Sequence, residues 1–210
     1  MNEAHLIMIG QIPQVPPQYF EEYQNVLKTL TSSCSKKLRS DLLSPFSVTI
    51  DHEFLGVPSS LQACIHSVFC LEETIVEWNV AFDLSYVILN GAISTPIQKK
   101  TSSQLMGEGV SQARKALNQK KSSHNRILFY LQPEHLCDQL NNLFMVLDSI
   151  SSSWNQKDFP LISDMLQTEN NEEVAIKHRK NRSQIWKRRK TLQISEYKAL
   201  KHVLLNLNQN

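Results

Sequence analysis

Glycine is scarce in this chain. There are five in 210 residues, all between Gly10 and Gly109, so the last hundred positions contain none. Gly107 and Gly109 form a G-x-G pair, but the full spacing of a P-loop or of a dinucleotide-binding fingerprint is absent. No stretch of 18 apolar residues exists, so no transmembrane helix is expected. The start, MNEAHLIMIG, lacks a basic region followed by a long apolar segment, so no secretory signal is expected either. The four cysteines (Cys34, Cys64, Cys70 and Cys137) show no C-x-x-C spacing and read as reduced, structural thiols of a cytoplasmic protein.

What is present divides unevenly. Residues 1–153 carry 11 Lys and Arg against 14 Asp and Glu, a net charge of −3, whereas residues 154–210 carry 11 against 6, a net +5. Charge and glycine distribution together predict two units, an α+β domain over 1–153 and a basic, all-helical module over 154–210.

The segment Phe46–Gly56, FSVTIDHEFLG, organises the first unit. Phe46, Val48 and Ile50 alternate with polar residues, then Asp51, His52 and Glu53 follow in a row before Phe54 and Leu55. That reads as a strand, an acidic turn and a second strand. Carboxylates exposed at a hairpin tip offer the oxygen ligands a hard divalent cation requires. A turn that uses Asp only for local hydrogen bonds is the competing reading.

Around this hairpin the periodicity predicts a strand at Leu6–Gly10, a helix from Pro17 to about Leu38, and a second helix capped by Ser59 or Ser60. A strand over Val80–Leu89 comes next. The order β-α-β-β-α-β is that of the ferredoxin-like split βαβ fold, which brings the end of the first strand (Gly10, Gln11) to the hairpin tip. A helix from about Met106 to Leu117 follows, and its glycines with Ser111 suit either phosphate on backbone N–H groups or a plain helix entry. Ile127–Leu131 reads as a fifth strand, and Glu134–Trp154 as a helix whose apolar stripe serves as core or dimer face.

Phe159–Leu166, Glu172–His178, Ser183–Lys190 and Ser195–Leu207 read as four short helices. Between Val174 and Lys190 stand eight basic residues and no acid: Lys177, Arg179, Lys180, Arg182, Lys187, Arg188, Arg189 and Lys190. Such a cluster can neutralise phosphates and release their counterions. A solvated basic surface and an acidic protein partner are the alternatives. Leu192, Ile194, Tyr197, Leu200, Val203, Leu204 and Leu207 form a stripe that packs the module on itself or on a second subunit.

The segments LIMIGQI, FSVTIDHEFLG, NGAIST and GEGVSQARKAL, followed by this helical end, resemble the SatD family. Its first two motifs, I-G-D and G-D-E-F-Q-G, in turn resemble the palm domain of nucleotidyl cyclases and GGDEF proteins. In those proteins aspartates at the first strand and the hairpin hold two Mg²⁺ ions on a triphosphate. Here Gln11 stands at the strand aspartate, and Asp51 and His52 at the glycine and aspartate of the hairpin, while Glu53, Phe54 and Gly56 are retained. Gln11 is neutral and His52 suits Mg²⁺ poorly, so the resemblance implies at most a weak divalent-cation or nucleotide site and no catalytic pair of metals. It also implies a helix-turn-helix over residues 170–190. Glu173, Val174 and Ala175 fall in its first helix, and Asn181–Ser183 open a recognition helix with Ile185 buried. Arg182 and Gln184 are then placed for base contacts, and Lys187 and Arg188 for the DNA backbone. His178, Arg179 and Lys180 occupy the turn where a glycine is usual.

Three functions follow as expectations. The first is a cytoplasmic, homodimeric DNA-binding regulator with a palm-like unit that no longer catalyses. The second is a nucleotide-using enzyme with a reduced metal site. The third is an interaction module without affinity for DNA.

Overall fold

The computed structural model describes residues 4–49, 52–119 and 125–207. Five strands form one mixed sheet: β1 (Ala4–Gln11), β2 (Leu42–Val48), β3 (Glu53–Pro58), β4 (Ser85–Ala92) and β5 (Ile127–Tyr130), in the order β2-β3-β1-β4-β5. The first four pair antiparallel in the order of the ferredoxin-like split βαβ unit, and β5 adds parallel to β4. Eight α-helices lie among the described residues: α1 (Phe20–Lys37), α2 (Leu61–Glu77), α3 (Glu108–Gln119), α4 (Glu134–Ser151), α5 (Phe159–Gln167), α6 (Asn171–Lys177), α7 (Arg182–Thr191) and α8 (Ile194–Leu205). None is long and apolar enough to cross a membrane.

The two-residue period of the strands builds a separate core on each face of the sheet. Ile7, Ile9, Leu55, Val57, Val87 and Leu89 point to one face, which α3 covers with Val110, Ala113 and Leu117. Met8, Phe54, Tyr86 and Ile88 point to the other, against α1, α2 and α4. Helix α2 buries most of its surface, and Gln62, His66, Glu73 and Glu77 form the narrow polar row it turns towards solvent. Its buried hydroxyls, on Ser67 and Thr74, donate back to the carbonyls of Ala63 and Cys70 at 2.7 and 2.6 Å. Ser60 is its cap, accepting from the Ala63 N–H at 3.1 Å.

The strand expected over Val80–Leu89 starts later and runs further, from Ser85 to Ala92. Its neighbour sets both ends: β1 ends at Gln11 opposite Ser85 and begins at Ala4 opposite Ala92. Val80, Phe82 and Leu84 still bury their side chains, which explains their alternation, but they have no ladder partner there.

The boundary expected at residue 153 falls between α4 and α5, and the apolar core crosses it. Helix α5 packs on α2, and α8 packs on α2 and α4. Trp154 donates its indole N–H to the Leu192 carbonyl at 2.8 Å and packs on Tyr197, with ring centres 4.9 Å apart. Leu192, Ile194, Tyr197 and Leu204 are buried in this way, so most of the final apolar stripe is used inside the chain.

Candidate functional site

At one end of the sheet, Gln11 closes β1 directly opposite Glu53, the first residue of β3. By strand parity both belong to the face that α3 covers. Glu53 is already engaged there. Its Oε1 accepts from the Thr49 hydroxyl and from Arg114 Nε of α3, each at 2.9 Å. His52 turns inward, buried, with φ 60. Its Nε2 lies 2.8 Å from the Phe20 carbonyl oxygen and its ring meets Phe20 edge-on at 4.3 Å. The His52 carbonyl accepts from the Ile12 N–H at 3.2 Å. A non-glycine residue in the left-handed region costs roughly 1–2 kcal/mol, which these contacts offset.

The expected tip of exposed acids is therefore corrected. His52 faces the interior, Glu53 is ion-paired, and Asp51 lies outside the described residues. No cluster of three or more His, Cys, Asp or Glu among the described residues is arranged to hold a metal ion. Arg114 of α3 compensates the charge of Glu53.

The glycine pair at the start of α3 serves packing. A Cβ on Gly109 would lie 2.7 Å from the Gly91 carbonyl carbon, 2.8 Å from Ile7 Cδ1 and 2.9 Å from the Ala92 nitrogen. Bare backbone at both positions lets α3 approach the sheet closely. Gly107 has φ +150, a conformation open mainly to glycine. Its carbonyl accepts from the Ser111 N–H at 3.1 Å, so Gly107 opens the first turn of the helix.

At the opposite end of the sheet a half-open cavity of about 720 Å³ lies between the starts of α2 and α4. Ser59, Ser60, Asn90, Gln132, His135 and Gln139 contribute its polar lining, and among the described residues no Lys, Arg, Asp or Glu lines it.

The basic segment forms helix α6, a turn and helix α7. Asn170 caps α6 by accepting from the N–H groups of Glu172 and Glu173. Asn181 and Gln184 form a reciprocal capping box at the start of α7. Val174 and Ala175 of α6 and Ile185 of α7 are buried. Between the helices, the Arg179 N–H donates to the Ile176 carbonyl at 3.2 Å and the Lys180 N–H to the Ala175 carbonyl at 2.9 Å. These are the two bonds of a Schellman motif, with Arg179 at φ 51 in the position glycine usually takes. Arg179 thus takes the left-handed position where glycine is usual.

The predicted basic contacts separate into two groups. Arg189 is buried. It donates from Nε to Asn171 Oδ1, from Nη1 to the Met165 carbonyl and from Nη2 to the Thr168 carbonyl, each at 2.9 Å. It joins α7 to α5 and α6 and is withdrawn from the expected interface. Arg188 is half-buried and pairs with Asp158 at 2.6 Å. The exposed Gln184, predicted for base contact, uses its side-chain carbonyl in the cap, accepting from the Asn181 N–H at 3.0 Å. Lys177 pairs with Asp164 at 2.6 Å, and His178 Nε2 lies 2.7 Å from the same carboxylate. Burial raises the Asp164 pKa, but hydrogen bonds from Lys177 and His178 outweigh it and hold the acid below its ordinary value.

Arg179, Lys180, Arg182, Lys187 and Lys190 remain exposed, and none forms an ion pair with a described residue. On α7, Arg182, Trp186 and Lys190 lie four residues apart in one row, beside Ser183 and Lys187, while Ile185 and Arg189 face the interior. Trp186 is 48% exposed, with Lys190 Nζ 4.2 Å from its ring centre. Sequence reasoning passed over Trp186, although its spacing from Arg182 and Lys190 is readable there.

The sequence profile of the SatD family matches residues 7–207. No curated protein matches the chain. Two solved structures of a bacterial light-regulated adenylyl cyclase are similar to it, with TM-scores of 0.45 and 0.44 at 10% identity. In each case the similarity covers 61% of this chain and 43% of the cyclase chain, so this chain corresponds to less than half of that protein's length.

Proposed function

This chain belongs to the SatD family, and from that premise we propose that it is a DNA-binding regulatory protein of the cytoplasm. In this reading α6–turn–α7 is a helix-turn-helix with α7 as its recognition helix. The sheet unit is a palm-like scaffold, related to nucleotidyl cyclase domains, that no longer handles triphosphates.

One observation carries the reading. Five basic side chains without acidic partners crowd the turn and the outer rows of α7, on a framework whose caps and Schellman turn hold it rigid. Unpaired cations on a fixed surface repel one another and are ready to meet phosphates. The Glu53–Arg114 pair and the inward His52 support a scaffold role for the sheet end, because both side chains are engaged within the chain. A homodimer would place two such helices on paired half-sites.

The test is fluorescence anisotropy with duplex DNA from the chain's own upstream region and a scrambled duplex of the same length. Truncation after residue 153 would uncover α2, so charge substitutions are the better probe. The full chain should bind, and Arg182→Ala with Lys187→Ala and Lys190→Ala should remove most of that binding while leaving the melting temperature nearly unchanged. If all five cations meet phosphates, affinity falls about 500-fold between about 50 and 200 mM salt. Equal binding by the triple variant, or none by the wild type, refutes the proposal.

A further inference from the structure

We propose that Cys34 and Cys70 form a peroxide-responsive thiol pair, in which Cys70 is oxidised first and Cys34 then closes a reversible disulfide between α1 and α2. This does not depend on the DNA-binding reading above.

Helices α1 and α2 pack on each other, and both cysteines lie in that contact. Cys34 stands in the final turn of α1 and is fully buried. Cys70 lies on α2 in the row of His66, Glu73 and Glu77, so its sulfur is only half-buried. Thr74, one turn after Cys70, marks the meeting point. Its hydroxyl donates to the Cys70 carbonyl at 2.6 Å and lies 3.8 Å from Cys34 Sγ. The two thiols also hydrogen-bond to each other. Lys37, one turn after Cys34, reaches across to Glu77 at 3.8 Å, which keeps an ammonium beside the pair. The other two cysteines lack such a partner. Cys64 is buried without a thiol neighbour, and Cys137 donates to the Phe129 carbonyl at 3.0 Å.

These surroundings divide the roles. The bond from Cys34 favours a thiolate on Cys70, and Lys37 adds its charge against the effect of burial. The thiolate is the nucleophile, and a hydroperoxide is small and uncharged enough to reach a half-buried sulfur. In the first step the Cys70 sulfur attacks a peroxide oxygen. The S–O bond forms, the O–O bond breaks, and hydroxide leaves and takes up a proton to give water and a Cys70 sulfenic acid. Cys34 is held protonated first by its bond to Cys70 and then by burial, so oxidation of Cys70 removes the main influence on it. In the second step the Cys34 sulfur attacks the Cys70 sulfur. The S–S bond forms, the S–O bond breaks, and the Cys34 proton leaves with the hydroxide as a second water. Two thiols are oxidised and one peroxide is reduced.

The test treats the reduced, folded full chain with hydrogen peroxide, alkylates the remaining thiols and maps the peptides without reductant. One linked peptide, Cys34 to Cys70, should dominate and disappear on treatment with dithiothreitol. The intact chain should lose the mass of two hydrogens before alkylation. Cys34→Ala should stop at the sulfenic acid, with dimedone captured on Cys70, and Cys70→Ala should leave Cys34 as a thiol over the same exposure. The wild-type map decides the pairing even where Cys34→Ala weakens the core. A bridge through Cys64 or Cys137, or one between two chains, overturns the inference. So does Cys70 that stays reduced, or that passes to sulfinic acid in the wild type without a bridge.

Discussion

Replacing Arg126 with methionine should destabilise the chain by about 3–5 kcal/mol at neutral pH. Arg126 lies just before β5, and its guanidinium is enclosed by α2, α4 and β4. Nε donates to Asp148 Oδ1 at 2.7 Å, Nη2 to Glu72 Oε2 at 3.0 Å, and Nη1 to the Leu84 carbonyl at 2.9 Å. Its backbone N–H reaches Asp148 Oδ2 at 3.0 Å, and the Tyr86 hydroxyl donates to Glu72 Oε1 at 2.7 Å. The side chains of Arg126, Glu72 and Asp148 are 17, 13 and 7% exposed, so little water could replace a lost partner. Burial works against the arginine's charge, but Glu72 and Asp148 outweigh it and keep the group firmly protonated. Methionine removes the cation and strands two carboxylates, and breaking a buried pair in this way costs about 3–5 kcal/mol. Total stability of a domain is about 5–15 kcal/mol, so the variant should unfold at much lower urea. Far-UV circular dichroism in urea at neutral pH is the assay. Adding Glu72→Gln and Asp148→Asn to the methionine variant should recover much of the stability, because no buried charge is then left uncompensated. A loss under about 1 kcal/mol in the single variant, or no recovery in the triple, would refute the reasoning.

Three further outcomes are expected. A hydrogen bond from Cys34 lowers the Cys70 pKa, while that bond and burial push Cys34 up, and burial alone pushes Cys64 up. Half-buried Cys70 should therefore be alkylated before either, and Cys34→Ala should slow it, as peptide mass mapping will report. Because the folded pKa of Asp164 lies below its ordinary value, its contribution is complete above the carboxylate range and is lost as pH falls through the lowered value. Urea midpoints taken down through acid pH should show that slope in the wild type, and Asp164→Asn should flatten it. Gly109→Ala adds about 1 kcal/mol of helix propensity but drives a methyl into backbone atoms that cannot give way, at a cost of about 1–3 kcal/mol. A net loss of thermal stability should follow, and a raised melting temperature would show that α3 can retreat.

Much of the architecture is legible in the sequence because it rests on local patterns. The three-to-four-residue steps of Phe20, Tyr23, Leu27 and Leu30 define α1, and the hairpin pattern around Phe46 and Phe54 defines β2 and β3. The four final helices lie within a few residues of their expected ends, since their caps and periodicity are local as well. The meeting of Gln11 with Glu53 also followed, because strand order together with register determines it.

Tertiary structure decided the rest, because each remaining question turned on a partner distant in sequence. The ends of β4 depend on the length of β1, and the role of Gly109 depends on Gly91. The division at residue 153 was inferred from charge and glycine content, which describe surface and turns, whereas the core that crosses it is made by α2. His52 and Glu53 lost their exposure to Phe20 and Arg114, which no spacing rule connects to them. The basic run shows the difference most plainly. The sequence by itself determined that eight cations fall between Val174 and Lys190. Only the fold, through Asp158, Asp164 and the carbonyls of Met165 and Thr168, separated those that brace α7 from those that face solvent. A residue's charge is intrinsic, but its availability depends on what the rest of the chain places beside it.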